Sequence, residues 1–570
     1  MFLQKSPRTL PTAMENKEKV ILIYQYFVHR NKARASEVAH CLRMNVANPL
    51  IDEIILLNER IYSSEELGVD AAKVRQVDIG RRVTFQDIFV FARKEALQGY
   101  VVTCNADMFF DVSLRNLFRS GLHLSKAAYA LLRFEYTDRD LRKCKLFGPR
   151  ADSQDVWIFH SSFLPTEAEA KLFNFPFGKL GCDNKLAYLL AILGYEVRND
   201  PLFIRTYHHH RMPIRDYSRK ERVRHPYLGV APYTDGSVAD ATWAGPNVWA
   251  QKYGYTVNSY TGNGGTFMFD KDNHTLAGFI ASRLKEGRPF LIPRVSHAET
   301  NMAHAMKLYD DVRAGRQHQM GIPQLTKYIG EGTKILKNNA GIRADTLQLL
   351  RLYSQMYFAA FEHADLCLAW APWDNMFPIT VAPHRHIYDI LRRTGGTTLY
   401  AGVLDIFNYI QSHPWTQQLR GKRLLLISPF VESIKTRVPY REGLYGVDLF
   451  PECEFVFLKP PQTQGTNKSR PFIQEFQDFV KRIEAVKDEF DVALVSCGGY
   501  GNLVCDGIFK MGKSAIFIGG VLQMYFGIYG QRWMRDNPDI LRLYMNKRWG
   551  RPSKEERPEG YKGIEGACYF

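Results

Sequence analysis

The sequence has no window of about 18 uninterrupted apolar residues, which argues against a helix that spans a membrane. Its opening, MFLQKSPRTLPTAMENKEK, lacks the continuous apolar centre of a secretory signal, so residues 1–18 read as a disordered lead. No C-x-x-C pair occurs among the nine cysteines, and their odd number and scatter exclude both a zinc ribbon and a disulfide scaffold. That usage fits a reducing, cytoplasmic setting. Helix-turn-helix and aromatic RNA-binding signatures are also missing, so nucleic acid is not an expected partner despite the formal charge of +16. A basic chain serves an anionic phosphate ligand equally well, or peripheral contact with a membrane surface, and a nucleotide diphosphate is the first reading.

What is present is a long globular composition, 45% apolar and 24% charged over 570 residues, enough for two to four domains. From Lys19 the chain alternates strand and helix. KVILIYQYF is a β-branched run suited to a buried parallel strand, ARASEVAHCLRMN has helical spacing, IDEIILLNE and QVDI are strands, TFQDIFVFARKEA is a helix and GYVVTCNAD a strand. This order predicts a doubly wound α/β domain over residues 19–210, with ligands beyond the carboxyl ends of its strands. Residues 211–262, rich in Pro, Gly, Arg and Tyr, read as a linker or bridge. A second α/β pattern occupies 263–570. There GKRLLLISPF and CEFVFLKPP are strands, and DVALVSCGGYGNLVCDGIFKMGKSAIFIGG is strand, glycine turn, helix, strand and glycine turn. The basic stretch 546–562 reads as a tail.

In YVVTCNADMFFD the first strand-like run stops at Asn105-Ala106-Asp107. An acid at a strand end can hold a hard divalent cation, which neutralises diphosphate oxygens and stabilises a nucleotide leaving group; it can equally cap the next turn. The element resembles the D-x-D motif of GT-A glycosyltransferases, with Asn105 at the first acidic position and Asp107 at the second. The resemblance spans roughly residues 19–210. It implies Mn²⁺ or Mg²⁺ held by Asn105 and Asp107, with a third ligand from the histidine run that ends the domain, at His208 or His210. It also implies a carboxylate beside the acceptor hydroxyl or the donor sugar: Asp183, in GCDNK at a helix start, or Asp155, before the strand VWIFH. As residues alone, Asp183 can cap its helix and histidines in a run can be solvated. Tyr24 is placed by topology near a base or ribose, and Arg34 either meets the donor diphosphate or solvates a helix start.

In the second half, FLIPRVSHAETN is a strand ending in Arg294, with Glu299 five residues on. It resembles the R-x-G-D-G-E element of GT-D glycosyltransferases. Arg294 and Glu299 match, and His297 stands where the family has Asp. As a bare pattern this is an Arg–Glu surface pair. Gly498 and Gly499 let backbone approach a ligand, Tyr500-Gly501-Asn502 opens a helix whose amides can hold phosphate, and Gly519-Gly520 turns Gln523 towards the same crevice. Trp373 and Asp374 follow another strand, where Trp373 either stacks on a sugar or packs, and Trp370 reads as packing.

The fold expected is α/β, two Rossmann-like domains, the first GT-A-like and the second GT-D-like. The function implied is a bifunctional glycosyltransferase, a hexosyl- or pentosyltransferase taking a nucleotide-sugar donor and a glycan or glycoconjugate acceptor. The alternative is one active domain joined to a non-catalytic glycan-binding domain. A nucleotidyltransferase fits less well, because QYFVHRNKAR after the first strand has no glycine.

Overall fold

The run VILIY forms β1 (Val20–Tyr24), and all five residues are buried, as a strand covered on both faces must be. The computed structural model describes residues 18–69, 71–147, 153–212, 214, 219–224, 226–230, 261–262, 265–268, 270–369, 381–412 and 414–570. The expected lead, most of the bridge, and Trp370, Trp373 and Asp374 lie outside the described residues.

Around β1 stand β2 (Glu53–Asn58), β3 (Val74–Asp78), β4 (Tyr100–Cys104), β6 (Ala127–Leu131), β9 (Val156–His160) and β10 (Glu196–Arg198), in the order β10-β6-β9-β4-β1-β2-β3. Every pairing is parallel except those of β9, which runs antiparallel to β4 and β6. The chain winds outward from β1 to β3 and returns to β4 on the other side of β1. A crevice therefore opens between the carboxyl ends of β1 and β4. A second sheet, β5-β11-β7-β8, lies across this end, built from β5 (Met108–Phe110), β7 (Phe134–Glu135), β8 (Lys145–Leu146) and β11 (Thr206–His208). A short third sheet holds β12 (Tyr227–Leu228), β13 (Thr261–Gly262) and β14 (Gly265–Met268).

The second α/β unit has β15 (Leu291–Ile292), β18 (Arg423–Ile427), β19 (Glu454–Leu458), β20 (Val492–Val495) and β21 (Ser514–Phe517), ordered β15-β21-β20-β18-β19 and parallel throughout. A parallel pair, β16 (Leu366–Ala369) with β17 (Thr397–Tyr400), flanks it. The direction of winding reverses between β18 and β20, so this sheet too has a crevice at its strand ends. The 546–562 stretch, read as a tail, is packed instead. Trp549 is buried with its indole nitrogen donating to the Leu444 carbonyl at 3.0 Å, and the buried Glu556 carboxylate accepts from the backbone amides of Glu432 and Ser433.

The two units meet across the helix Cys182–Ile192, buried along most of its length. Tyr188 donates to Asn408 Oδ1 at 2.8 Å, and Lys185 forms an ion pair with Asp539 in which the side chains are only 6% and 7% exposed. Removing one member leaves the other charge buried and uncompensated. Asp539→Ala is therefore expected to cost about 3–5 kcal/mol, and replacing both residues by apolar ones of similar volume much less; chemical unfolding of the single and double variants checks this.

Candidate active site

At the end of β4 the chain turns through Asn105-Ala106-Asp107, closed by the Met108 amide donating to the Asn105 carbonyl at 3.2 Å, and resumes as β5. β11 runs antiparallel to β5 with His208 opposite Met108, and the His209 amide donates to the Asp107 carbonyl at 2.9 Å. Alternate residues of an extended chain share a face. His208 and His210 thus both face the Asp107 carboxylate, while His209 turns away and packs edge-on against His40 and Tyr136.

His208 Nε2 lies 3.2 Å and His210 Nδ1 3.3 Å from Asp107 Oδ2. Among the described residues these three form the one group of side chains whose ligand atoms all lie within 4.8 Å of one another, as a metal ion would require. Their outer partners suit that role. Glu135 Oε2 sits 3.1 Å from His208 Nδ1, and the Ile214 carbonyl sits 3.0 Å from His210 Nε2. With the far nitrogen of each ring engaged, the near nitrogen can offer its lone pair to a cation. Two imidazoles and one carboxylate suit Mn²⁺ better than Mg²⁺. Burial disfavours the Asp107 carboxylate, but His208, His210 and Arg34 outweigh it and hold its pKa well below the usual carboxylate range. His208 is the counterpart: burial works against its charge, Asp107 and Glu135 overcome this, and its pKa is pushed up to about 9.

Asp107, His208 and His210 border a cleft of about 800 Å³ at the β1–β4 switch. Of the other candidates, Asn105, Asp155, Asp183 and Arg34 also line it. Asn105 Nδ2 donates to Asp155 Oδ1 at 2.9 Å, and Asp155 is further engaged by Arg133. Asp183, half-buried in the first turn of its helix, accepts from the Gln154 amide at 3.2 Å rather than capping the helix end. The cap is Gly181, at φ +77°, where a Cβ would come 2.8 Å from the Tyr227 hydroxyl. Tyr227, within the expected bridge, lines the cleft as well. Arg34 is buried and ion-paired with Asp107 and Glu37. Tyr24 is not part of the cleft lining; its ring is buried in the core cluster between the sheet and the helix Lys32–Ala47. Glu37, Arg133 and Glu135 carry no motif, and no sequence signal marks them; chain topology alone brings them here.

The second crevice has about 590 Å³, and each of its five strands contributes residues just past its carboxyl end: Arg294, Pro429, Pro460, Ser496 and Gly519 are examples. His297, Glu299, Gly498 and Tyr500 line it too, with Glu299 in the first turn of the helix His297–Arg313. Burial raises the Glu299 pKa and lowers that of Arg294. Gly519, at φ +73°, leaves room for the Arg294 guanidinium, which a Cβ would approach to 2.4 Å. Three other candidates act behind the lining. Asn502 fixes the Arg294 backbone through two hydrogen bonds, of 3.0 and 2.9 Å; Gly499 packs against Ile342 and Ala340; and Gln523 donates to the Tyr569 carbonyl at 3.1 Å. Residues 565 and 568–570 close one side of this crevice.

No protein-family model and no curated protein matches the chain. Several solved structures are similar in part. One, described as domain of unknown function 1792, is 12% identical with a TM-score of 0.26, covering 49% of this chain and 88% of its own. A 4-diphosphocytidyl-2C-methyl-D-erythritol synthase is 12% identical with a TM-score of 0.21, covering 36% and 95%. A mannosyltransferase from Pyrobaculum calidifontis, in complex with GDP-Man and Mn²⁺, is 11% identical with a TM-score of 0.23, covering 68% and 89%. None of these scores ties the chain to one family. Among the described residues no helix is long and apolar enough to cross a membrane.

Because the His208 pKa rises from about 6.5 unfolded to about 9 folded, its contribution to stability is whole below the first value and is lost as pH climbs through the second. The thermal midpoint of EDTA-treated protein should fall across that window, and His208→Gln should flatten the fall; parallel curves would contradict the assignment.

Proposed function

We propose that the first cleft is the active site of a GT-A-like glycosyltransferase, which moves a hexosyl or pentosyl group from a nucleotide-sugar donor to a hydroxyl of a glycan or glycoconjugate. The observation that carries this reading is the Asp107–His208–His210 group, backed by Glu135, at the switch point of a doubly wound sheet. A divalent cation held by these three side chains would neutralise the donor diphosphate as it departs. Asp183 is the base: its carboxylate, oriented by the Gln154 amide, takes the acceptor proton as that oxygen bonds to the anomeric carbon and the sugar–phosphate bond breaks. Direct attack of this kind inverts the anomeric centre. Asp155, already engaged by Arg133 and Asn105, positions the cleft wall rather than moving a proton. Nine buried, unpaired thiols fit work in a reducing cytoplasm.

The test is a panel of sugar nucleotides assayed with Mn²⁺ or EDTA. Asp183→Asn should lower kcat by about 10²–10⁴ while leaving nucleotide affinity unchanged, and Asp107→Asn should abolish the Mn²⁺-dependent transfer. A retained anomeric configuration in the product, read by NMR, would rule out Asp183 as a base that activates the acceptor directly.

The second crevice supports a bifunctional chain with a GT-D-like second site, because all five strand ends of its sheet border one crevice that Arg294 and Glu299 also line. Phosphate contact there would fall to Arg294 and Arg532, which line the crevice. If both sites transfer sugars, Glu299→Gln and Asp107→Asn will each remove a different donor activity. If Glu299→Gln leaves every activity intact, the second crevice is a non-catalytic glycan-binding site.

A further inference from the structure

A single oxygen, Asp107 Oδ2, is approached by three cationic or donor groups: Arg34 Nη2, His208 Nε2 at 3.2 Å and His210 Nδ1 at 3.3 Å. A metal ion taken up by the two imidazole nitrogens would replace their contacts to this oxygen, but it would then share the oxygen with the Arg34 guanidinium, a second positive charge. The ion pair with Arg34 is shielded from water, each side chain being only 9% exposed. It is also anchored. Arg34 Nη1 donates to Glu37 Oε2 at 2.9 Å and to the His209 carbonyl at 3.3 Å, and Glu37 Oε1 accepts from the amides of Arg211 at 2.8 Å and Met212 at 3.1 Å. Both arginines are engaged by carboxylates, Arg34 by Asp107 and Glu37 and Arg133 by Glu135 and Asp155. Asn105 adds an oxygen but no negative charge. Arg34 is already paired with Glu37 on its far side, so a divalent ion among Asp107, His208 and His210 would compete with the guanidinium for the Asp107 charge and lie beside a like charge.

We propose that Arg34 gates the metal site: Mn²⁺ binds Asp107, His208 and His210 only in exchange for the Arg34–Asp107 ion pair. Arg34 then remains tethered to Glu37 at the wall of the cleft it lines. The gate holds the affinity of the free protein for metal down. This inference rests on the metal assigned above, not on which sugar or acceptor the enzyme uses.

Mn²⁺ alone, titrated into the full chain and followed by loss of the free-ion EPR signal, tests it. Arg34→Met should tighten binding by about tenfold or more, as expected for removal of a buried like charge beside the ion, and Arg34→Lys should stay near wild type. If Arg34→Met does not fold, the paired variant Arg34→Met with Glu37→Gln keeps the charge balance and should show the same gain. Equal or weaker binding in whichever variant folds overturns the gate, and so does a gain that persists in an Asp107→Asn background, since the ion would then sit elsewhere. Failure of wild type and variants alike to bind Mn²⁺ overturns the gate together with the metal assignment. Absence of donor turnover alongside the expected gain overturns the transferase reading and leaves the gate standing.

Discussion

A carboxylate withdrawn from water stays ionised only if charge is brought to meet it, and Asp107 is 6% exposed. Much of the first unit can be understood as the means of doing so. The helix Lys32–Ala47 brings Arg34, the β5–β11 register sets His208 and His210 beside the same oxygen, and β7 supplies Glu135 behind His208. Each partner comes from a different part of the chain. Loss of the register by one residue would turn His209, not His208 and His210, towards the acid, because strand side chains alternate faces.

Both clefts arise from the same topological event, a reversal of winding in a parallel sheet, yet their electrostatics differ. The first joins a carboxylate to two imidazoles, a set matched to a cation. The second sets three arginines, Arg294, Arg532 and Arg535, beside three carboxylates, Glu299, Asp536 and Glu565, with Arg535 paired to Asp536. The helix Cys182–Ile192 links the two units: its first turn carries Asp183 in the first cleft, and its next residues reach Asp539 and Asn408 of the second unit. Order at that interface therefore bears directly on where Asp183 sits.

The alternation of buried strands and amphipathic helices was legible in the sequence because a parallel strand covered on both faces must be apolar throughout, and VILIY and VALV are. Asp107 was legible for the converse reason, an acid breaking such a run at its carboxyl end. Glu299 reads differently in three dimensions, as a first-turn residue of a helix rather than part of a strand-end loop. The segment 546–562 looked like a tail because it is basic, but it holds a buried tryptophan and a carboxylate that caps another helix.

What the sequence determined by itself was local: where the long apolar strands run and end, and that an acid, a histidine run and paired glycines fall at strand ends or domain ends, while the short strands and β6 carried no such signal. Periodicity and turn chemistry act over a few residues, so they can be read without knowing the fold. Only the tertiary structure decided which of those ends face one another, that Arg34 meets Asp107 across 73 positions, that Glu135 supports His208, and that Tyr24 belongs to the core. Such pairings depend on strand order and register, and no spacing along the chain encodes them.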